Sequence, residues 1–566
     1  MKKIDKYIFI TITLILHVMR KINNLLSIAV LGIAAVACGS PAEMAKQSEN
    51  VNVGYGDAVL EVVAGEINTD VTVTYPEDYF HPKAILEVTP VLVYEGGEVA
   101  MEPYVFQGEK VKDNYEVVPS NGATVTKPVS FKYVPGMEKS HLELRSIVRH
   151  KGKTTTLPTK KVADGANTTY MLVCENGKVD FKADGYQEIV KQTAEGQILY
   201  QINSSNVRNS ELKSKSIKDF QAALEEIKAN ERKNLVSTDI VAYASPDGSE
   251  KLNEKLSDNR SASAKKAFNQ VTKKNKVEGD VNVSSVAEDW EGFQELIAAS
   301  DLKDKDLIIR VLSMYSDPAV REQEIKNMSN VYKTLAKDIL PALRRARFIA
   351  NVEFTNYSND ELLELVEENI DVLDETALLR AATLVKDCAQ KVELYKKAAQ
   401  KYDSNTAQYN LAATYLVMGE NDKAKAALKK CEQDADWNNA MGVLALRDAD
   451  YAQAGRYFAA AKNETAKENL AILDVLNGNY KEAAAKLAGK KSFNAALVAL
   501  LNGNNTPAAE FECCCEKGAA KAAYLRAVAA ARQGNAEAVK KNLEIANACE
   551  KLAERSSKDI EFAMYR

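Results

Sequence analysis

The spacing of apolar residues divides the chain into three regions. Between about residues 57 and 185, short runs of β-branched residues such as 59–63, 71–75 and 85–88 alternate with polar turns. Alternation with a period of two predicts half-buried strands, and we find no stretch of helical spacing in this region. About eight strands joined by polar turns therefore predict an N-terminal antiparallel β-sandwich over residues 56–190.

The central region, residues 191–356, alternates strand-like and helix-like patterns. Apolar residues recur at helical spacing over 210–230, between apolar runs at 198–202 and 236–244. A helix over 252–271, an extended run at 281–286, a helix over 325–340 and a strand at 347–354 complete a βαβαβ(α)β order. This order predicts a central α/β sandwich, with a helix-rich insertion at 288–324.

The third region, residues 357–566, is rich in alanine and internally repetitive. Small residues recur every 25 to 31 positions, at Ala412, Gly442, Ala471, Ala496 and Ala527. Glycines suited to turns between paired helices follow several of them, at Gly419, Gly478, Gly503 and Gly534. The pattern resembles tetratricopeptide repeats shortened from their usual 34 residues. The resemblance implies a C-terminal α-helical solenoid that binds partner proteins.

An apolar stretch near the N-terminus ends in a cysteine that follows small residues. Arg20 and Lys21 precede apolar residues 25–37, which run into Cys38-Gly39-Ser40. This stretch is too short to span a bilayer. It resembles a bacterial lipoprotein signal, which implies cleavage before Cys38, lipidation of that residue and anchoring to the outer membrane. The alternative is an ordinary secretory signal that ends in a chance cysteine.

The residues on either side of this signal are less distinctive. Residues 1–18 carry a second short apolar run, and Met19 opens a complete signal by itself, so we interpret 1–18 as a mis-assigned start; a transmembrane anchor is the alternative. Residues 38–55 are expected to form a tether. Because no acidic residue directly follows Cys38, we expect the lipid-anchored protein to face the periplasm, with surface exposure as the alternative.

Composition excludes several classes of function. The net charge is −5 and there is no basic block, so nucleic acid is an unexpected partner. The eight cysteines include no CxxC pair, and three consecutive cysteines at 513–515 would point about 100° apart on a helix. We therefore predict no metal site and no cofactor. Motifs of phosphate-binding loops, zinc proteases and nucleophile elbows do not occur, so we predict that the protein is not an enzyme.

Residues 243–264 carry the most specific motif in the chain. They read YASPDGSEKLNEKLSDNRSASA. This segment resembles the signature of OmpA-like peptidoglycan-associating domains, in which a strand, a Thr-Asp pair and a glycine precede Asn-x-x-Leu-Ser-x-x-Arg on a helix. The family positions are occupied here by Gly248, Asn253, Leu256, Ser257 and Arg260.

The resemblance implies a ligand site for a zwitterionic amino acid of the peptidoglycan stem peptide. Arg260 would pair with the ligand carboxylate. Ser245 stands at the family's aspartate position, so we expect Asp247, two residues on, to supply the carboxylate for the ligand ammonium. Ser245 and Asn253 are expected at the edge of the pocket. The alternative role for Arg260 is a surface salt bridge.

Together these patterns predict a membrane-anchored, non-enzymatic scaffold of the cell envelope. In this interpretation the OmpA-like domain associates with peptidoglycan and the helical repeats bind unidentified proteins. The alternative is an assembly or adhesion component of a surface structure or secretion machine, which keeps the OmpA-like fold without binding peptidoglycan.

Overall fold

The structure, a computed structural model, describes residues 40–55, 59–246, 249–273, 279–505 and 516–566. The chain divides into two compact units. The first combines the described residues up to Asp180 with Gln433–Arg566, and the second is Phe181–Glu432. The sequence pattern predicts one helical region from residue 357 to residue 566. In the structure this region is divided between the two units, at residues 432 and 433. Cys38 lies outside the described residues.

Eleven strands among the described residues of the first unit form one hydrogen-bonded sheet. The strands are β1 (Asn52–Tyr55), β2 (Val59–Val63), β3 (Glu66–Tyr75), β4 (Ile85–Tyr94), β5 (Gly97–Ala100), β6 (Tyr104–Gly108), β7 (Glu116–Val118), β8 (Ala123–Lys132), β9 (Ser140–His150), β10 (Lys153–Thr156) and β11 (Lys160–Asn167). Their order is β1-β3-β2-β11-β9-β4-β6-β7, and β5, β8 and β10 pair with β4, β3 and β9.

This sheet is curled and mixed, which differs from the antiparallel sandwich that the alternation predicts. The pairs β2–β11 and β6–β7 are parallel. The ring of Tyr75 on β3 lies 6.0 Å from that of Phe106 on β6, although the two strands are far apart in the sheet. Gly165 explains part of the pairing, because a Cβ there would lie 2.6 Å from the Cβ of Leu60 on β2. The missing side chain lets β11 approach β2.

Residues 40–50 are structured, although the sequence pattern assigned them to a tether. A short helix, α1 (Pro41–Lys46), and a 3-10 turn, Gln47–Asn50, precede β1. The hydroxyl of Ser40 accepts a hydrogen bond from the main-chain N–H of Glu43 and caps the helix. Met44 is completely buried. The helix also packs against β9 and β10, so contacts with the sheet as well as the cap hold this short segment in place.

The second unit begins with a four-stranded mixed sheet of order β12-β15-β13-β14. Strands β12 and β13 pair antiparallel with β15, and β13 pairs parallel with β14. The elements of this layer are β12 (Ile189–Leu199), α2 (Lys215–Ala229), β13 (Lys233–Tyr243), α3 (Glu250–Thr272), β14 (Asp280–Val286) and β15 (Arg345–Thr355). Helices α2 and α3 cover the sheet through Phe220, Phe268 and Phe348, whose ring centroids lie 5.4–6.4 Å apart.

Five helices lie between β14 and β15 and form a small core of their own. They are α4 (Trp290–Ala299), α5 (Lys305–Met314), α6 (Pro318–Asn327), α7 (Ser329–Asp338) and α8 (Leu340–Leu343). Phe293, Ile297, Ile308 and Leu335 are almost completely buried in this core. The helical insertion predicted at 288–324 thus continues through residue 343.

The remaining helices follow one another in packed pairs. In the second unit they are α9 (Asn359–Glu368), α10 (Glu375–Leu384), α11 (Cys388–Tyr402), α12 (Asn405–Met418) and α13 (Asn421–Leu428). In the first unit they are α14 (Ala435–Arg447), α15 (Tyr451–Ala461), α16 (Glu464–Leu476), α17 (Tyr480–Lys486), α18 (Phe493–Leu501), α19 (Glu516–Arg532), α20 (Ala536–Ala546) and α21 (Glu550–Lys558). Neighbouring helices pack against each other as helical hairpins, as the repeat pattern predicts.

The glycine turns predicted between the paired helices are confirmed. Gly419, Gly478 and Gly534 lie between two helices at φ of +77°, +78° and +73°, and Gly503 follows α18 at +80°. Left-handed residues of this kind end helices because glycine adopts them without steric cost. In the described parts of the chain, no helix combines the length and apolar character that crossing a membrane requires.

Candidate functional site

Arg260, the residue at the family's arginine position, lies on α3 with no exposed surface. Its Nε donates to the main-chain carbonyl of Ser204 (3.0 Å), Nη1 to that of Tyr243 (2.9 Å) and Nη2 to that of Gln201 (3.2 Å). The guanidinium also lies over the ring of Tyr200, 5.0 Å from its centroid. Arg260 therefore holds the loop after β12 against the end of β13. A ligand carboxylate would have to displace these carbonyl groups.

The structure brings together two of the other predicted site residues. Ser245 and Asn253 are 5% and 3% exposed, and the Nδ2 of Asn253 donates to the carbonyl of Ser245 (3.2 Å). Glu288 and Arg344 join them: Oε1 of Glu288 lies 3.4 Å from the same Nδ2, and Nε of Arg344 donates to the hydroxyl of Ser245 (3.3 Å). Asp247, the expected carboxylate, lies outside the described residues.

A buried ion pair lies beside this cluster. Asp289 and Arg345 approach to 2.9 Å, and their side chains are 3% and 12% exposed. Burial raises the pKa of Asp289, and Arg345 opposes the rise. Asp289 also accepts a hydrogen bond from the N–H of Gly292, so it caps α4. The pair anchors the helical insertion to the last strand.

A second candidate site lies in the helical repeats of the first unit. Residues 174–180, here called the strap, have no regular secondary structure. Asn494 accepts from the N–H of Cys174 (2.8 Å) and donates to its carbonyl (3.0 Å). Asn469 accepts from the N–H of Lys178 (2.8 Å) and donates to its carbonyl (2.8 Å), which also accepts from Asn439 (2.9 Å).

The same arrangement occurs once in the second unit. Asn410 on α12 accepts from the N–H of Lys182 (2.8 Å) and donates to its carbonyl (3.0 Å). The Nζ of Lys182 lies over the ring of Tyr409, 5.2 Å from its centroid. The ring of Phe181 stacks on that of Tyr395 at 6.5 Å. Burial raises the pKa of Tyr395 to about 12.

We call Asn439, Asn469 and Asn494 the asparagine row; they lie on α14, α16 and α18 of the first unit. Asn439 and Asn469 are each 1% exposed, and the Nδ2 of Asn469 donates to the Oδ1 of Asn439 (2.8 Å). A carboxamide carries one acceptor and one donor group, which matches the N–H and C=O of one residue in an extended chain. Such contacts recognise the main chain of any residue type except proline, which has no N–H to donate.

The sequence contains a signal for these asparagines that the repeat pattern did not reveal. Asn410, Asn439, Asn469 and Asn494 each precede the small residue of their repeat by two or three positions. A buried asparagine in the middle of a helix lowers its intrinsic stability. Asn410, Asn439 and Asn469 are buried in this way, whereas Asn494 is half-buried at the second residue of α18. Their recurrence at one place in successive repeats indicates a shared contact, which is the main chain of residues 174–182.

The described residues contain no group of three or more His, Cys, Asp or Glu side chains placed to hold a metal ion. Arg447 adds to the contacts with the strap, because its Nε donates to the carbonyl of Asn176 (2.7 Å). The helices α14, α16 and α18 thus bind a main chain without regular secondary structure, mainly through neutral hydrogen bonds. This chemistry is suited to binding polypeptide.

Comparisons with known proteins leave the family open. No family model matches the chain, and no curated protein matches it. One similar solved structure is described as "Crystal structure of APC/C hetero-tetramer Cut9-Hcn1", with 11% sequence identity. The match covers 64% of this chain and 73% of that chain, with a TM-score of 0.23. At this distance we transfer neither fold nor function from it.

Proposed function

We propose that this protein is a non-enzymatic scaffold whose helical repeats bind polypeptide segments that have no regular secondary structure. The observation that carries the proposal is the asparagine row, which forms paired hydrogen bonds with the main chain of Cys174 and Lys178. Burying an unpaired carboxamide costs about 1–3 kcal/mol. The helices around Asn439 and Asn469 are therefore stabilised by a main chain bound against them, from this molecule or from another.

The test separates the strap from the helices that bind it. In the full chain, residues 174–180 are replaced by Gly and Ser at equal length, and a fluorescein-labelled peptide of residues 172–182 is titrated by anisotropy. We expect binding that weakens at least about tenfold when Asn439 and Asn469 are both changed to Ala, because more than one buried hydrogen bond is lost.

Asn438→Ala is the matched control for this test. Asn438 lies beside Asn439 on α14, and its Nδ2 donates to the carbonyl of Asp434 in its own helix (2.8 Å). We expect Asn438→Ala to leave peptide affinity unchanged. Failure of the strap-replaced protein to bind the peptide, with its hydrogen exchange outside the strap unchanged, would refute the proposal.

We also propose that the scaffold is attached to the outer membrane through Cys38, facing the periplasm. The support is the run of small residues that ends at Cys38-Gly39-Ser40, behind Arg20 and Lys21. Cys38→Ser should move the protein from the membrane fraction to the soluble fraction and remove the acyl mass from its N-terminal peptide. Cys431→Ser, a change of the same type far from the signal, should do neither.

For the central domain, the contacts of Arg260 favour the function without peptidoglycan binding. Arg260 is completely buried, and it donates hydrogen bonds to the main-chain carbonyl groups of Ser204, Tyr243 and Gln201. We therefore propose an assembly component that keeps this arginine for stability. The full chain should not co-sediment with purified peptidoglycan. Co-sedimentation that is lost in a folded Arg260→Lys variant would instead support wall binding.

A further inference from the structure

The helices hold the strap through its main chain, as a binding site holds a peptide, and part of the strap is exposed to solvent. Asn176, Lys178 and Asp180 are exposed, whereas Gly177 is half-buried. Among the side chains, the Nζ of Lys178 lies 3.4 Å from the carboxylate of Glu468, a long contact at an exposed position. Such a pair contributes little. The asparagine row contacts only main-chain atoms of the strap. Preference for one peptide sequence over another must therefore come from contacts made by other residues of the strap.

Gly177 is fixed by two independent constraints. Its φ is +68°, a conformation in which other residues are strained. A Cβ built at this position would lie 2.7 Å from Cγ2 and 3.0 Å from Cγ1 of Val443 on α14. Val443 is completely buried and cannot move aside easily. Only glycine fits at this point of the strap.

Two acidic side chains flank this glycine and contact hydroxyl groups of the repeats. The carboxylate of Glu175 accepts a hydrogen bond from the hydroxyl of Tyr451 at the start of α15 (2.8 Å). Burial and the neighbouring Glu175 raise the pKa of Tyr451 to about 12, so it remains a donor at neutral pH. The carboxylate of Asp180 accepts from the hydroxyl of Thr465 on α16. Hydrogen bonds to a charged acceptor are about twice as strong as neutral ones.

We infer that the surface formed by α14, α15 and α16 is a sequence-selective site for non-helical segments with the pattern Glu-x-Gly-x-x-Asp that turn at the glycine. The inference rests on the proposed function and adds the chemistry of the partner. Residues 175–180 carry this pattern and occupy the site within the same chain. The partner is a segment of another protein with the same pattern, and it must displace the strap.

Competition by the strap sets the apparent affinity. A segment tethered next to its own site has an effective concentration in the millimolar range. A free peptide therefore binds the unmodified chain much more weakly than it binds a chain whose strap has been replaced. Loosening the strap by a change that leaves the site intact should raise the affinity for the free peptide.

The first experiment titrates peptide variants into the full chain with residues 174–180 replaced by Gly and Ser. Changing Glu175, Gly177 or Asp180 of the peptide to Ala should weaken binding at least tenfold, whereas Asn176→Ala and Lys178→Ala should change it less than threefold. Val443→Ala in the protein should restore only part of the affinity lost by the Gly177→Ala peptide, because it removes the clash with Val443 but leaves the strain of a positive φ at residue 177. If all five peptides bind alike, the selectivity is refuted while the proposed function stands. If none binds, the proposed function itself fails.

The second experiment uses the full chain with its strap in place. Gly177→Ala should raise the affinity for the unmodified peptide at least tenfold, because the strap then clashes with Val443. Gly185→Ala is the matched control: Gly185 has φ of +70°, and a Cβ there would meet nothing within 4 Å. It should leave peptide affinity within threefold. An equal effect of the two variants, or no effect of either, would overturn the inference that the strap competes for this site.

Discussion

Removing the carboxamide of Asn469 is expected to destabilise the first unit by about 2–3 kcal/mol. This side chain makes three hydrogen bonds of 2.8 Å, with the N–H and C=O of Lys178 and with the Oδ1 of Asn439. Each contributes about 0.5–1.5 kcal/mol net when buried. The three bonds together contribute about 1.5–4.5 kcal/mol. Replacing Asn by Ala within a helix returns roughly 0.5 kcal/mol, so the loss for Asn469→Ala lies between about 1 and 4 kcal/mol, with about 2–3 kcal/mol in the middle of the range.

Urea unfolding of the full chain gives the stability change, and hydrogen exchange at the N–H of Lys178 localises it. Asn438→Ala carries the same gain in helix propensity without loss of a strap contact, so it should lie within about 0.5 kcal/mol of the unmodified protein. Asn469→Asp keeps the acceptor but buries a charge, and it should cost at least as much as Asn469→Ala. If Asn469→Ala and Asn438→Ala have equal stability and equal Lys178 exchange, the strap contacts do not stabilise the fold.

Three further predictions follow from other sites. A Cβ on Gly442 would lie 2.5 Å from the ring of Phe458, so Gly442→Ala should cost about 1–3 kcal/mol in urea unfolding; Gly455→Ala, on a helix with ordinary contacts, should be neutral or stabilising. Arg260→Lys cannot reach three carbonyl groups at once and should cost about 2–4 kcal/mol by the same measurement; an unchanged stability would contradict the bracing role. Burial lowers the pKa of His81 below its ordinary value of 6.5, so the unfolded chain takes up the proton first and stability should fall as pH drops through that value. His81→Gln should remove this dependence, and an NMR titration that puts the His81 pKa above 6.5 would refute it.

Local sequence patterns predicted where the strands and helices lie better than they predicted which of these elements contact each other. Period-two alternation located most strands, and recurring small residues located the helix pairs and the turn at Gly419. Neither pattern contains information about which strand pairs with which. The parallel contact of β2 with β11 depends on the close approach of Gly165 and Leu60, two residues far apart in the sequence. The same limit applies to the division into two units, because contacts such as Arg555 to the carbonyl of Thr168 (2.7 Å) join distant segments.

The same limit applies to the site residues: the sequence predicts the element on which a residue lies but not the groups that it contacts. The motif placed Arg260 on a helix after a strand, and the structure has it there. The carbonyl groups that surround its guanidinium belong to Gln201, Ser204 and Tyr243, and a sequence motif does not specify main-chain contacts. The asparagines recur visibly in the sequence. Their binding partner, residues 174–180, has no helical or strand-like spacing, so the sequence does not predict the contact between them.

The division of the chain has a consequence for its synthesis on the ribosome. The first unit combines residues before 180 with Gln433–Arg566, and about 250 residues of the second unit lie between them. When export accompanies synthesis at roughly 5–20 residues per second, the N-terminal sheet reaches its compartment some 10–50 s before the helices that complete its unit. During this interval the apolar surface that those helices cover is open to water and to chaperones. The second unit, continuous in sequence, can finish folding first, so the part of the chain that is made earliest is completed last.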